Sequence, residues 1–274
     1  MRQIVEKNDG SIPIDDILCT TYQMRNFYKQ LGYGLPEKLD IMNYIQHYKA
    51  TLMMKRGQTV LDLCCGRGLL LPMMRYYAKD IKKYIGVDIK KGNMEAMHSA
   101  VNIQIEKDID SETYYPFETE WIVGDVSRIA EIIKEQIDFI VYTSSIEHMH
   151  KDGGEASIKG CGEILRRGGK IFLSCPNTPE DRDGYDVVYK AHVYEWKLSE
   201  LKQILNDSGF VIKEIFGLTG EIRLLKKKFK TVPKPIYDFF DPIIRYQPTS
   251  FLSAFIFAPF PELASEVLII GELK

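Results

Sequence analysis

The sequence has no apolar run of about 18 residues, the length a helix needs to cross a bilayer. Its first ten residues, MRQIVEKNDG, interleave charges with apolar side chains where a secretory leader would need an unbroken apolar stretch. These two absences predict a cytoplasmic protein. Cysteine is scarce: five in 274 residues, at 19, 64, 65, 161 and 175, and never spaced C-x-x-C. An odd, scattered set excludes a disulfide framework and a zinc knuckle, so reduced thiols are expected. Excess charge is missing as well, because 36 basic and 38 acidic residues leave a formal charge of −2. A chain so balanced has no global attraction for polyphosphate, and only a local basic patch could grip nucleic acid. Two phosphate fingerprints are absent. No G-K-[ST] closes a glycine loop, and the turn VLDLCCGRG at 60–68 is followed by Leu71 where a dinucleotide site needs its third glycine. Internal repeats and low-complexity tracts are not found.

With 45% hydrophobic residues the chain can bury one substantial core and a smaller appendage. Short runs rich in Val, Ile and Leu predict strands at 59–64, 84–89, 121–125, 137–144, 170–175, 209–217 and 265–273. Helices are expected between them at 69–80, 92–105, 127–135, 154–166 and 198–207. Alternation of this kind predicts a Rossmann-like, doubly wound α/β sheet, with the last two runs pairing antiparallel at one edge. Pro72 fits the first turn of a helix, where its missing N–H is harmless, and Gly168 and Gly209 fit left-handed exits from helices. Gly160 and Gly162 weaken the 154–166 helix by about 1 kcal/mol each against alanine.

Two segments stand outside the alternation. Residues 1–57, with Tyr22, Phe27, Tyr28, Tyr33, Tyr44 and Tyr48, predict a helical N-terminal cap ahead of a main domain at 58–274. Residues 219–262 interrupt the final strand pair and predict an inserted lid over one end of the sheet. That insertion carries Lys226, Lys227, Lys228 and Lys230 around Phe229, then FLSAFIFAPF, which is too short and proline-bounded to span a bilayer.

In an open α/β sheet, ligands bind beyond the carboxyl ends of the strands. Asp62, Gly66 and Gly68 mark the first such end, Asp88 the second and Asp125 the third. One carboxylate can take an amino group, the next a ribose, and the last the exocyclic amine of adenine. The set does not suit a chain of phosphates.

VLDLCCGRG, YIGVDI, WIVGDVS, IDFIVYTSSIEH and LRRGGKIFLSCPN, in this order over about residues 58–217, resemble the motif series of the class I S-adenosylmethionine-dependent methyltransferases. The resemblance implies a seven-stranded sheet with one antiparallel edge strand and S-adenosylmethionine as cofactor. It implies that Asp62, Cys64, Gly66 and Gly68 line the methionine half, that Asp88 holds the ribose, that Asp125 and Val126 meet the adenine, and that Ile89 is also among the cofactor-binding residues. Thr143 and Ser144 would lie under the methionine and face the acceptor. Cys64 stands where the family often has glycine, which is tolerable if the backbone there keeps a negative φ. Cys64 and Cys65 should point to opposite faces and pack rather than share a metal ion.

Methyl transfer needs a general base only when the acceptor is protonated near neutral pH. His192 is the better candidate, and His148 is expected to be chiefly structural. Glu147, His148, His150 and His192 could form an imidazole and carboxylate metal site. With Ser144 where a further carboxylate would help, no metal is expected. The favoured reading is transfer to a small molecule such as a metabolite, a sugar or a natural product. Its rivals are transfer to RNA or DNA through the lysine run, and a non-catalytic module that binds S-adenosylmethionine.

Overall fold

The computed structural model describes residues 38–66, 68–78, 80–92, 117–220, 233–236, 238 and 256–274. Its elements in chain order are α1 (Lys38–Met53), β1 (Thr59–Leu63), α2 (Leu71–Tyr77), β2 (Lys83–Asp88), β3 (Glu118–Val123), α3 (Ile129–Ile132) and β4 (Ile137–Thr143). They continue with α4 (Lys151–Ile164), β5 (Leu165–Pro176), α5 (Leu198–Asp207), β6 (Phe210–Gly220) and β7 (Ala264–Leu273). The seven strands form one sheet in the order β3-β2-β1-β4-β5-β7-β6. The first five pair in parallel, and β7 runs antiparallel between β5 and β6, so the last two strands close one edge. The order reverses between β1 and β4, which pair in parallel, and the connections that leave them turn to opposite faces of the sheet, the arrangement that opens a crevice beyond the carboxyl ends.

Side chains alternate across the sheet and build two cores. Leu61, Leu63, Ile85, Val87, Ile140, Tyr142, Ile171 and Leu173 pack on one face with α4 and α5. Val60, Tyr84, Phe139, Val141, Phe172, Leu268 and Ile270 pack on the other with α1 and α2. Cys64 packs with the first set and Cys65 with the second, so the adjacent thiols face opposite ways as expected.

Several local expectations are met and others shift. Pro72 lies in the first turn of α2, and Gly168 and Gly209 have φ of 72° and 89°. The 154–166 helix runs instead over Lys151–Ile164, and Leu165–Arg167 already belong to β5, because Gly168 turns within the strand and not at the helix end. The two glycines inside α4 are close-approach sites: a Cβ on Gly160 would sit 2.6 Å from Cγ2 of Ile129, and one on Gly162 2.5 Å from the Ser208 carbonyl oxygen. The 127–135 helix is reduced to a 3-10 turn at Val126–Arg128 and the four residues of α3. The third strand begins earlier than 121 and ends at Val123, since Asp125 caps the following turn and does not extend the strand.

Of the N-terminal cap, α1 is described, and it packs across the carboxyl ends of the central strands. Its Gln46 side chain donates to Oγ of Ser144 at 3.1 Å and accepts from Oγ of Ser174 at 2.5 Å. The 92–105 helix, the lysine run at 226–230 and most of the 219–262 insertion lie outside the described residues. Among the described residues no helix is long and apolar enough to cross a membrane.

Candidate active site

The turn after β1 is built by backbone that only glycine adopts freely. Gly66 and Gly68 have φ of 55° and 72°. Cys64 also has a positive φ, 53°, which overturns the expectation of negative φ at this position. A non-glycine residue in the left-handed region carries roughly 1–2 kcal/mol of strain, and such strain persists where surrounding contacts fix the chain. Here the Cys65 amide donates to the Val87 carbonyl at 3.0 Å, and the Gly66 amide donates to Oδ2 of Asp88 at 2.9 Å. The thiol of Cys64 is pushed up by burial, and further by the carboxylates of Asp88, Asp62 and Glu147. A thiol so raised is a poor nucleophile and a poor redox sensor.

Three carboxylates do stand at successive strand ends. Asp62 is buried and accepts the Tyr84 hydroxyl at 2.8 Å. Burial pushes its carboxyl up to about 7, against the Tyr84 hydrogen bond, and the neighbouring Asp88 adds to the rise. Asp88 is buried and also takes the Lys90 amide on Oδ1 at 2.8 Å. Ile89 beside it is 65% exposed, an apolar side chain left open at the crevice. Asp125 is exposed and caps the next turn by accepting the Ser127 amide at 2.9 Å. Val126 has its side chain in the core, which leaves its backbone as the part that can meet a base.

Thr143 ends β4 and Ser144 follows it, where Ser144 lines the cavity described below, and both side chains have partners within the protein. Oγ1 of Thr143 is 3.3 Å from Nε2 of His47, and Oγ of Ser144 donates to Oε1 of Glu266 at 2.7 Å. Ser144 has a φ of 45°, so it is a second strained residue at the mouth of the crevice. His47 is held neutral by burial, down to about 4, and its Nδ1 has no hydrogen-bond partner among the described residues.

Beside these residues lies a cavity of about 730 Å³ walled by Met42 of α1, Glu147 and His148 after β4, Pro176 and Asn177 at the end of β5, and the loop carrying Arg182, Tyr189, His192 and Glu195. His148 and His192 meet edge to face with ring centroids 5.2 Å apart. Nδ1 of His148 is 2.9 Å from the Ala191 carbonyl oxygen, and Nδ1 of His192 is 2.7 Å from Oε1 of Glu195. Burial works against ionised Glu195, but His192, the Tyr189 and Val188 amides and Arg182 together hold it below the usual range. Glu147 is the reverse case. Burial pushes it well above the usual carboxylate range, the charges of Glu266 and Glu195 push the same way, and its Oε2 has no partner among the described residues.

The sequence reading brought out Glu147, His148 and His192, and the structure brings all three to one wall. His150 instead sits at the start of α4, exposed. Gln46, His47, Arg182, Glu195 and Glu266 were missed. A signal existed for Glu266, a carboxylate set directly before the apolar run VLII of β7, much as Asp62 sits within the apolar run of β1.

A family model described as a methyltransferase domain matches residues 40–215. No curated protein matches in sequence. Among solved structures, a Bacillus halodurans C-125 protein classed as a methyltransferase is 18% identical, with 82% of this chain and 96% of that one covered and a TM-score of 0.51. A SAM dependent methyltransferase from Archaeoglobus fulgidus is 16% identical, with 90% and 97% covered and a TM-score of 0.52. The chain found in complex with the Trm112 methyltransferase activator of Haloferax volcanii is 15% identical, with 86% and 93% covered and a TM-score of 0.54. At these identities the structures are similar in fold.

Proposed function

The chain belongs to the class I S-adenosylmethionine-dependent methyltransferases, and from that premise we propose that it methylates a small molecule held in the cavity beside the glycine turn. The observation that carries the small-molecule reading is the cavity itself. At about 730 Å³ it has the size of a metabolite pocket and is roofed by α1. Its ionisable lining, Glu147, Glu195 and Glu266 with Arg182, His148 and His192, offers no cationic track for a phosphate backbone.

The residues of the crevice fit the cofactor. The glycine turn lets backbone approach closely, Asp62 offers a buried carboxylate for an ammonium group, and Asp88 brings a carboxylate to the end of β2 for ribose hydroxyls. Asp125 and the Val126 backbone lie at the next strand end for the adenine, with Ile89 as an apolar flank. When bound there, S-adenosylmethionine supplies an electrophilic methyl group on sulfur. What the protein adds is alignment of the acceptor in a site that excludes water. Glu147 joins the two regions, because it lines the cavity and its charge is felt by Cys64 of the turn. Acceptor activation is assigned in this reading to His192, which Glu195 orients, with His148 beside it; the Glu195 contact and the adjacent rings support that assignment.

Calorimetric titration with S-adenosylhomocysteine, beside NAD and ATP, tests the cofactor site. Selective binding near micromolar, about −8 kcal/mol, is expected. An acceptor screen with methyl-labelled cofactor then tests the substrate class. Label transferred only to RNA or DNA would overturn the small-molecule reading.

A further inference from the structure

The cavity wall holds a donor set that alignment alone leaves unexplained. One ligand atom from each of Glu147, His148 and His192 lies within 4.8 Å of the other two. Both rings are tied at Nδ1, to the Ala191 carbonyl and to the Glu195 carboxylate. A ring that donates Nδ1–H in this way presents a lone pair on Nε2. Histidines that bind metals are held by this kind of outer hydrogen bond, which fixes the tautomer and raises the basicity of the ligand. The outer carboxylate is itself anchored, since Glu195 accepts the Val188 and Tyr189 amides at 3.0 and 3.2 Å and the Arg182 guanidinium. A second observation is independent of the histidines. Oε2 of Glu147 is buried at the cavity wall and has no partner among the described residues, an arrangement that a bound cation would relieve.

We propose that Glu147, His148 and His192 form a binding site for one divalent transition-metal ion, with its remaining positions open to the cavity. This departs from the expectation of no metal, which rested on Ser144. The structure gives Ser144 to Glu266 and Gln46, and three ligands from elsewhere suffice for an open site. Two imidazoles and one carboxylate suit Zn²⁺, Mn²⁺, Fe²⁺ or Co²⁺, whereas Mg²⁺ and Ca²⁺ favour all-oxygen shells. An organic ammonium would satisfy Glu147 but leave both imidazole lone pairs unused. The inference deepens the methyltransferase reading in one respect: the open positions would receive oxygen donors of the acceptor, which makes a hydroxylated small molecule the substrate class.

The test is a titration of the chelator-stripped full chain with Co²⁺, followed by its visible absorption and by equilibrium dialysis. One equivalent should bind, with bands that Zn²⁺ displaces. His148→Ala and Glu147→Gln should each weaken binding by at least about tenfold, and Glu195→Gln by roughly 10- to 100-fold although it does not touch the ion. His148 is exposed, so its variant should fold even if the one at Glu147 does not. No stoichiometric uptake by the parent, or uptake unchanged in a His148→Ala, His192→Ala double variant, would overturn the proposal. S-adenosylhomocysteine binding by the parent, measured separately, reports on the methyltransferase reading and is independent of the metal result.

Discussion

The amide of Gly66 donates a 2.9 Å hydrogen bond to Oδ2 of Asp88, which ties the turn after β1 to the end of β2. The carboxylate assigned to the ribose is therefore also the clamp on the cradle. Asp88→Ala frees two backbone N–H groups, those of Gly66 and Lys90, at about 1–3 kcal/mol for each left unsatisfied. It is expected to lower the urea midpoint and to weaken S-adenosylhomocysteine at least about tenfold. Asp88→Asn keeps one acceptor oxygen and should lose less of both. Parent-like affinity in Asp88→Ala would show that the turn is not the cofactor cradle.

Cys64 holds a φ of 53° without the freedom of glycine. Glycine relieves roughly 1–2 kcal/mol of strain there and gives back about 0.5–1 kcal/mol through the entropy of the unfolded chain. Cys64→Gly should thus stay within about 1 kcal/mol of the parent. Cys64→Val places a β-branched residue at a left-handed position and should be the least stable of the three. Urea denaturation gives the order, and a valine variant as stable as the glycine one would mean a different backbone at this turn.

Helix propensity alone predicts that Gly162→Ala stabilises α4 by about 1 kcal/mol. Packing predicts the opposite sign. The new Cβ would meet the Ser208 carbonyl oxygen at 2.5 Å, at the end of α5, and backbone cannot swing aside as a flexible side chain can. Overpacking of this kind costs about 1–3 kcal/mol, so net destabilisation is expected in thermal melting. A raised melting temperature would show that α4 and α5 move apart freely.

The parallel sheet was legible because β1, β2, β4 and β5 carry continuous apolar runs, the pattern of strands covered on both faces. Asp62 and Asp88 were legible for a related reason, as lone carboxylates ending such runs. The order of β7 between β5 and β6 was not, since antiparallel pairing of the last two runs leaves open which of them is inner. Gln46 and His47 carry no local signal in NYIQHY. Their role arises from tertiary contact with Ser144, Ser174 and Thr143, about 100 or more residues away along the chain. Glu195 is similar, an acidic residue in a loop whose function comes from the ring and amides that converge on it.

Two buried groups make opposite contributions to stability as pH changes. Asp62 is raised from 3.8 to about 7, chiefly by burial, so the folded state holds a proton that the unfolded chain has shed. Its contribution falls as pH rises from about 4 to about 7 and is level above that. His47 is lowered from 6.5 to about 4, again by burial, so the unfolded state binds the extra proton and stability rises with pH over that window. Each group is limited to roughly 3–4 kcal/mol. Between about pH 4 and 6.5 the two slopes oppose, and each single variant should uncover the other: Asp62→Asn a rising slope, His47→Gln a falling one, in urea midpoints measured across pH. Cofactor binding adds a sharper readout at Asp62. An ammonium group placed against this carboxyl favours its ionised form, so S-adenosylhomocysteine should release a proton at pH 6 to 7 and none near pH 8. Calorimetry in two buffers of different ionisation enthalpy measures that release directly. It should vanish in Asp62→Asn, and a binding enthalpy independent of buffer in the parent would place the ammonium group away from Asp62.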